Sequence, residues 1–172
     1  KPIVHVDVAP AEVDAHYAVG VGVVGNIALS IELIGQSLHS FPAEWGRHCR
    51  QTIQDGFDEE HAASRIWPMR PQHIVTELRS ALQPDALVTC DVGAHKLWMA
   101  RMFSCEQVNT CIISNGFASM GIGLPGAVVA KLLYPERQVV AVTGDAGFLM
   151  NSQELETAVR LGLPIVIVIW RD

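Results

Sequence analysis

The chain has 172 residues, of which 49% are hydrophobic and 17% are charged. This composition predicts a globular protein with a sizeable buried core and excludes disorder for most of the chain. The formal net charge of −6 and the lack of any run of Lys or Arg exclude the basic surface that a nucleic-acid partner requires.

The first 72 residues give a mixed pattern. A strand is predicted over residues 2–8, a short helix over 11–17 and a turn-rich stretch over 20–26. Asn26 is a suitable N-cap for an amphipathic helix over residues 27–38. Residues 39–72 combine tryptophans, prolines and mixed charges, and we predict a linker with broken helices there.

From residue 73 onward, helices and strands alternate regularly. Helices are predicted over 74–82, 96–103, 124–133 and 153–161, and strands over 86–90, 110–114, 138–143 and 164–170. Continuous Val and Ile strands between helices indicate an α/β fold, a parallel sheet with helices on both faces. Ligands bind such sheets at the carboxyl ends of the strands, where glycine and polar residues collect in this sequence.

The four cysteines show neither C-x-x-C spacing nor a matching pair of histidines, so reduced thiols are a better interpretation than zinc or disulfides. The first residues lack the apolar core of a signal peptide. The longest apolar run, residues 163–170, is too short to cross a bilayer. We therefore expect a soluble cytoplasmic protein without a membrane partner.

Two aspartates, Asp145 and Asp172, directly follow predicted buried strands that are joined by one helix. A right-handed crossover places both strand ends on the same rim of the sheet. Neighbouring carboxylates repel unless a cation lies between them, and Mg²⁺ binds one or two carboxylates together with phosphate and water. Gly144, Ala146 and Gly147 leave room for backbone N–H groups to approach a phosphate. A helix-capping Asp145 and a surface Asp172 remain the alternative.

Two G-x-G-x-x-G strings raise another alternative, a nicotinamide dinucleotide-binding domain. They begin at Gly20 and at Gly121. The fingerprint requires its first glycine to end a strand directly, whereas residues 115–120 separate Gly121 from the preceding predicted strand. His95 fits either a catalytic base or a hydrogen-bond donor to phosphate.

Gly144-Asp145-Ala146, followed 27 positions later by Asp172, resembles the binding motif of thiamine diphosphate (ThDP)-dependent enzymes. That motif is GDG or GDA, followed by a run that ends in Asn or Asp. The resemblance implies that Asp145 and Asp172 bind Mg²⁺, which holds the cofactor's diphosphate. It also implies a third ligand, a backbone carbonyl two residues after Asp172. Ala146 replaces the commoner glycine.

Two further segments resemble the same family, and in particular the acetolactate synthase large subunit. The Asp-Val-Gly-Ala-His sequence at 91–95 implies that the diphosphate end is received by four residues, Val92, Gly93, Ala94 and His95. The Ser-Asn-Gly-Phe-Ala-Ser-Met-Gly sequence at 114–121 implies that Ala118 offers its carbonyl to the aminopyrimidine and that Met120 is the wedge that bends the cofactor. By its pattern alone, Met120 is a core-packing residue.

The resemblance covers nearly the whole chain and is weakest over residues 40–71. It implies that residues 1–38 end a Rossmann-like central domain, 39–72 form a linker, and 73–172 begin the ThDP diphosphate-binding domain. Trp170-Arg171-Asp172 is closest to acetolactate synthases, and aspartate at 172 resembles their catabolic, acetoin-pathway branch, which works without FAD. We therefore expect ThDP and Mg²⁺, with FAD absent.

The implied reaction decarboxylates pyruvate and joins the two-carbon unit to a second pyruvate, giving 2-acetolactate. In this family a second subunit of a homodimer or homotetramer supplies the activating glutamate, so no catalytic residue is assigned within this chain. We expect the chain alone to be an inactive fragment that ends at its second metal ligand. Alternatives are another ThDP enzyme acting on a 2-oxo acid, such as glyoxylate carboligase or a 2-oxo acid decarboxylase, the nicotinamide-binding domain, and a non-catalytic assembly fragment.

Overall fold

The structure is a computed structural model that describes residues 3–9, 18–38, 44–62 and 67–171. The chain divides into two compact units, Lys1–Thr52 and Ile53–Asp172. The predicted domain limits at residues 38 and 72 remain predictions. Among the described residues, no helix combines the length and the apolar character needed to span a membrane.

In the first unit, strand β1 (Val4–Asp7) pairs in parallel with strand β2 (Val21–Val24), and helix α1 (Ile27–Ser37) follows. The strand predicted over residues 2–8 and the capped helix are confirmed, because the Asn26 side chain accepts a hydrogen bond from the backbone N–H of Leu29 at 3.1 Å. The turn predicted over 20–26 is wrong at Val21–Val24. These valines favour a strand once β1 provides a partner. The helix predicted over 11–17 lies outside the described residues.

Helix α2 (Glu44–Ala62) corrects the prediction of broken helices over residues 39–72. It is 19 residues long and continuous. The prolines of this stretch lie at positions 42, 68 and 71, outside the helix, so none of them interrupts its hydrogen bonds. Glu44 in the first turn interacts favourably with the helix dipole.

The second unit contains the alternating helices and strands that the sequence predicts. Its elements are α3 (Pro71–Ser80), β3 (Leu87–Cys90), α4 (Ala94–Met102), β4 (Cys111–Ile113), α5 (Gly123–Leu133), β5 (Val139–Gly144), α6 (Asp145–Met150), α7 (Glu154–Arg160) and β6 (Val166–Trp170). The four strands form one parallel sheet in the order β4-β3-β5-β6. Only α6 was not predicted, because six residues are too few to show a helical period.

Helices cover both faces of this sheet, as predicted. Alternate residues of β3 point to opposite faces. Val88 and Cys90 pack in a cluster with Met99 of α4, whereas Leu87 packs in another cluster with Ala127 of α5. All of these side chains are buried, and burying a large apolar side chain contributes about 1.5–3 kcal/mol.

The strand order brings three chain segments together at one rim of the sheet. Cys90 of β3 lies opposite Val142 of β5, and Gly144 of β5 lies opposite Trp170 of β6. The residues that follow β3 and β5, together with the end of β6, therefore share the carboxyl rim of the sheet, where α/β proteins bind ligands.

Candidate functional site

A cleft of about 90 Å³ opens at this carboxyl rim. Its walls come from four chain segments, and the lining residues are Val92, Gly93, Ala94, His95, Met120, Gly144, Asp145, Ala146, Gly147 and Trp170. The sequence analysis named nine of these ten as cofactor-binding residues and missed Trp170. The structure thus brings the predicted residues together, while their binding of a cofactor remains a prediction.

Asp91 organises the loops around the cleft, although the sequence analysis did not name it as a site residue. Its side chain is fully buried, and its carboxylate accepts hydrogen bonds from the backbone N–H groups of Val92 (2.6 Å), Gly121 (2.8 Å) and Gly123 (3.1 Å). The Thr143 hydroxyl donates a further bond at 3.2 Å. A buried carboxylate requires such donors. An acid directly after an apolar strand was the signal available in the sequence.

Two glycines allow the backbone to approach this buried carboxylate closely. A Cβ atom on Gly147 would lie 3.0 Å from Oδ2 of Asp91, and one on Gly123 would lie 3.1 Å from the Asp91 Cβ. The N–H groups of Gly121 and Gly123 both donate to Asp91. They are therefore not available to hold a pyrophosphate, which argues against the nicotinamide alternative at the second glycine string.

His95 lines the cleft, and its ring lies against two of the cleft's glycines, Gly93 and Gly144. It belongs to α4 and is buried, and a Cβ atom on Gly93 would come within 2.8 Å of its ring, while one on Gly144 would come within 3.5 Å. Its ring centroid is 6.2 Å from that of Trp170. The imidazole therefore packs against the backbone of Gly93 and Gly144, and a side chain at position 93 would crowd it. Both interpretations of His95, base or donor to phosphate, remain predictions.

Met120 lines the cleft together with Gly93 and Gly144 and is 41% exposed. The alternative that Met120 packs in the core is therefore wrong, while its role as a wedge remains a prediction. Ala118 is half-buried, is not among the lining residues, and has a φ of 49°. The left-handed region is costly for alanine, and such strain collects at functional sites.

Asp145 is the first residue of α6, and its exposed side chain lines the cleft. Its Oδ1 accepts the N–H of the adjacent Ala146 at 2.7 Å, while the N-cap position of α6 is Gly144 and not Asp145. Asp172 lies outside the described residues, and the metal assignment of the two aspartates remains a prediction. Within residues 3–9, 18–38, 44–62 and 67–171, no three His, Cys, Asp or Glu side chains form a group that could hold a metal. Carboxylate oxygens such as those of Asp145 are among the ligands that Mg²⁺ prefers.

The cysteines of the sheet are unsuited to catalysis. All four cysteines are free thiols. Burial raises the pKa of Cys90 to about 12, and burial also raises the pKa of Cys111 to about 12. At neutral pH both thiols are protonated and therefore weak nucleophiles.

The cleft lies within a part of the chain that matches a known protein family. A family model for the C-terminal TPP binding domain of thiamine pyrophosphate enzymes matches residues 91–172, which include every residue of the cleft. Thiamine pyrophosphate is another name for ThDP. Residues 91–172 thus belong to the C-terminal TPP binding domain of thiamine pyrophosphate enzymes.

Within that family, the chain is similar to acetolactate synthases. It is 36% identical over 178 residues to acetolactate synthase of Bacillus subtilis (strain 168), an alignment that covers 100% of this chain and 31% of the relative. It is 35% identical over 175 residues to "Acetolactate synthase, catabolic" of Raoultella terrigena, covering 99% of this chain and 31% of that protein. A putative thiamine pyrophosphate-containing protein of B. subtilis is 37% identical over 174 residues, with 99% and 30% covered. The chain thus spans about a third of the length of these relatives.

Proposed function

We propose that this chain is the cofactor- and metal-binding part of a ThDP- and Mg²⁺-dependent acetolactate synthase. One observation carries the proposal: nine residues of the ThDP resemblance, separated in sequence, surround one cleft at the carboxyl rim of a parallel sheet. Similarity along the whole chain to acetolactate synthases supports the same activity.

The diphosphate of the cofactor would lie against the glycine-rich part of the cleft. Gly93, Gly144 and Gly147 line this part of the cleft, and backbone N–H groups there would donate to the phosphate oxygens. The exposed Asp145 carboxylate would bind Mg²⁺ together with Asp172. His95, directly beneath the glycines, would donate a hydrogen bond to the diphosphate.

The ring part of the cofactor would contact the 114–121 loop. Met120 would present its apolar side chain to the cofactor, and Ala118, held in its strained conformation, would offer its carbonyl to the aminopyrimidine. When bound, ThDP supplies the electron sink for decarboxylation of a 2-oxo acid. The residues of this chain hold and orient it.

The proposed reaction joins two pyruvates to give 2-acetolactate, without FAD, in a cytoplasmic homodimer or homotetramer whose second subunit provides the activating glutamate. The relative named as catabolic is consistent with the acetoin-pathway branch. Glyoxylate carboligase and 2-oxo acid decarboxylase activities would use the same cofactor site, so assays with each substrate separate them. A non-catalytic assembly part would bind no cofactor.

The test is a titration of the protein with ThDP and Mg²⁺, monitored by the change in tryptophan fluorescence, to which Trp170 of the cleft contributes. Asp145→Asn removes a charged metal ligand, so we expect ThDP affinity to fall by roughly tenfold or more. The control is Glu136→Gln, an exposed carboxylate before β5 at the opposite rim. Unchanged ThDP binding by Asp145→Asn, or binding of NAD in place of ThDP, would contradict the proposal.

The activity is tested separately, by acetolactate formation from pyruvate. We expect turnover from the protein with its full natural chain and none from residues 1–172 alone, because the activating glutamate is assigned to a segment outside them. Turnover by residues 1–172 alone would show that this division of roles is wrong.

A further inference from the structure

Both backbone polar groups of Gly121 are held by side chains from other segments. Its N–H donates to the Asp91 carboxylate, at 2.8 Å from Oδ1 and 3.0 Å from Oδ2. Its carbonyl accepts a hydrogen bond of 2.7 Å from Nδ2 of Asn151. Asp91 follows β3 and Asn151 follows α6, so the two side chains fasten the loop before α5 to two separate elements.

The residue at position 121 must be glycine for this arrangement to form. Its φ is +90°, which side chains rarely allow. A Cβ atom there would lie 2.6 Å from Nδ2 of Asn151 and 3.1 Å from Cβ of Met150. The close approach of Asn151 therefore depends on the missing side chain.

Gly121 directly follows Met120, the apolar residue of the cleft. Met120 is 41% exposed, so packing around its own side chain constrains it only in part. Its backbone is joined to a glycine whose N–H and carbonyl are both fastened. Neither Asp91 nor Asn151 lines the cleft. Asn151 acts on the loop through Gly121, whereas Asp91 holds Gly121 and also accepts the N–H of Val92, which lines the cleft.

We propose that Asp91 and Asn151 are positioning residues that hold Gly121, and thereby fix Met120 where it meets the ring part of the cofactor. This inference rests on the proposed ThDP site and adds residues that do not contact the cofactor. Fixing a binding group in advance lowers the entropy lost on binding. The diphosphate is assigned to other residues. Loss of the hydrogen bonds to Gly121 should therefore weaken binding of the cofactor's rings more than binding of its diphosphate.

The test uses the protein with its full natural chain and two probes, ThDP and inorganic pyrophosphate, each titrated with Mg²⁺ by calorimetry. Asn151→Ala removes one hydrogen bond to Gly121, and we expect ThDP affinity to fall about three- to tenfold, the net effect of such a bond. Pyrophosphate affinity should change by less than about twofold, within the variation expected for a substitution away from its contacts.

Asp91→Asn is the second variant, because it keeps the size of the side chain but turns a donor toward the N–H groups of the loop. Because Asp91 also accepts the N–H of Val92 at the diphosphate end, we expect this variant to weaken both probes, with the larger loss for ThDP. The matched control is Thr110→Val, which removes a buried hydroxyl bonded to the Gln107 carbonyl at 2.7 Å, at the amino end of β4. It should lower stability and change neither affinity.

Equal weakening of both probes by Asn151→Ala would mean a merely structural role and would overturn the inference. Wild-type ThDP affinity in both variants would overturn it as well, while leaving the proposed function intact. If the unsubstituted protein binds neither ThDP nor pyrophosphate, the proposed function is wrong, and this inference is wrong with it. If Asp91→Asn does not fold, Asn151→Ala decides.

Discussion

Two aspartates follow neighbouring strands of the same sheet, and we predict that replacing one by alanine lowers stability whereas replacing the other weakens ligand binding. Asp91, after β3, is fully buried and accepts four hydrogen bonds. Asp145, after β5, is exposed and accepts one from Ala146. Asp91→Ala should destabilise the fold, whereas Asp145→Ala should leave stability unchanged and weaken the binding of ThDP with Mg²⁺.

The hydrogen bonds of Asp91 set the size of the effect. Asp91→Ala leaves the N–H groups of Gly121 and Gly123, both buried residues, without their acceptor. Each buried group without a partner costs about 1–3 kcal/mol, so the two together cost about 2–6 kcal/mol. That is a large share of the ~5–15 kcal/mol by which domains are stable. Replacing the exposed Asp145 should change stability by no more than about 0.5 kcal/mol.

Thermal unfolding without ligand, followed by far-UV circular dichroism, measures the first effect, and a ThDP titration measures the second. We expect the melting temperature of Asp91→Ala to fall by roughly 5 °C or more. A melting temperature equal to that of the wild type would refute the anchoring role of Asp91. Equal destabilisation by Asp145→Ala would show that Asp145 is a structural capping residue and not a ligand.

Three further predictions concern the same unit. Gly147→Ala should lower the melting temperature relative to Gly116→Ala, because its Cβ would lie 3.0 Å from Asp91, whereas nothing lies within 4 Å at Gly116; crowding costs about 1–3 kcal/mol against a gain of ~0.5–1 kcal/mol from removing a helical glycine. Burial raises the pKa of Cys90 and Cys111 from 9.0 to about 12. The free energy of unfolding, measured with urea, should be at its full value below pH 9. It should decrease as the pH rises toward 12, because only the unfolded thiols ionise in that range. A smaller decrease in Cys111→Val would show that Cys111 contributes to this effect. Met120→Ala should weaken ThDP binding without lowering the melting temperature, because the side chain is 41% exposed. Unchanged ThDP affinity would contradict its role as a wedge.

The sequence determined most of the framework, because its signals are local. Continuous apolar strands alternating with helical segments predicted the parallel sheet and its helices on both faces. The side chain of Asn26 predicted where α1 begins, through a bond to a residue three positions away. The strand-end pattern predicted four of the residues that line the cleft, Gly144, Asp145, Ala146 and Gly147, because strand ends share a rim by geometry. The other five, Val92, Gly93, Ala94, His95 and Met120, were implied by the resemblance to ThDP-dependent enzymes.

Only the tertiary structure decided which residues organise that rim. Gly121 and Thr143 lie 30 and 52 positions from Asp91, and no local pattern relates them to it. The valines of β2 form a strand only because β1 provides a parallel partner across an intervening segment. Trp170 reaches the cleft because β6 lies beside β5. In each case the deciding interaction joins residues far apart in the chain, and its free energy is gained only after the chain has folded.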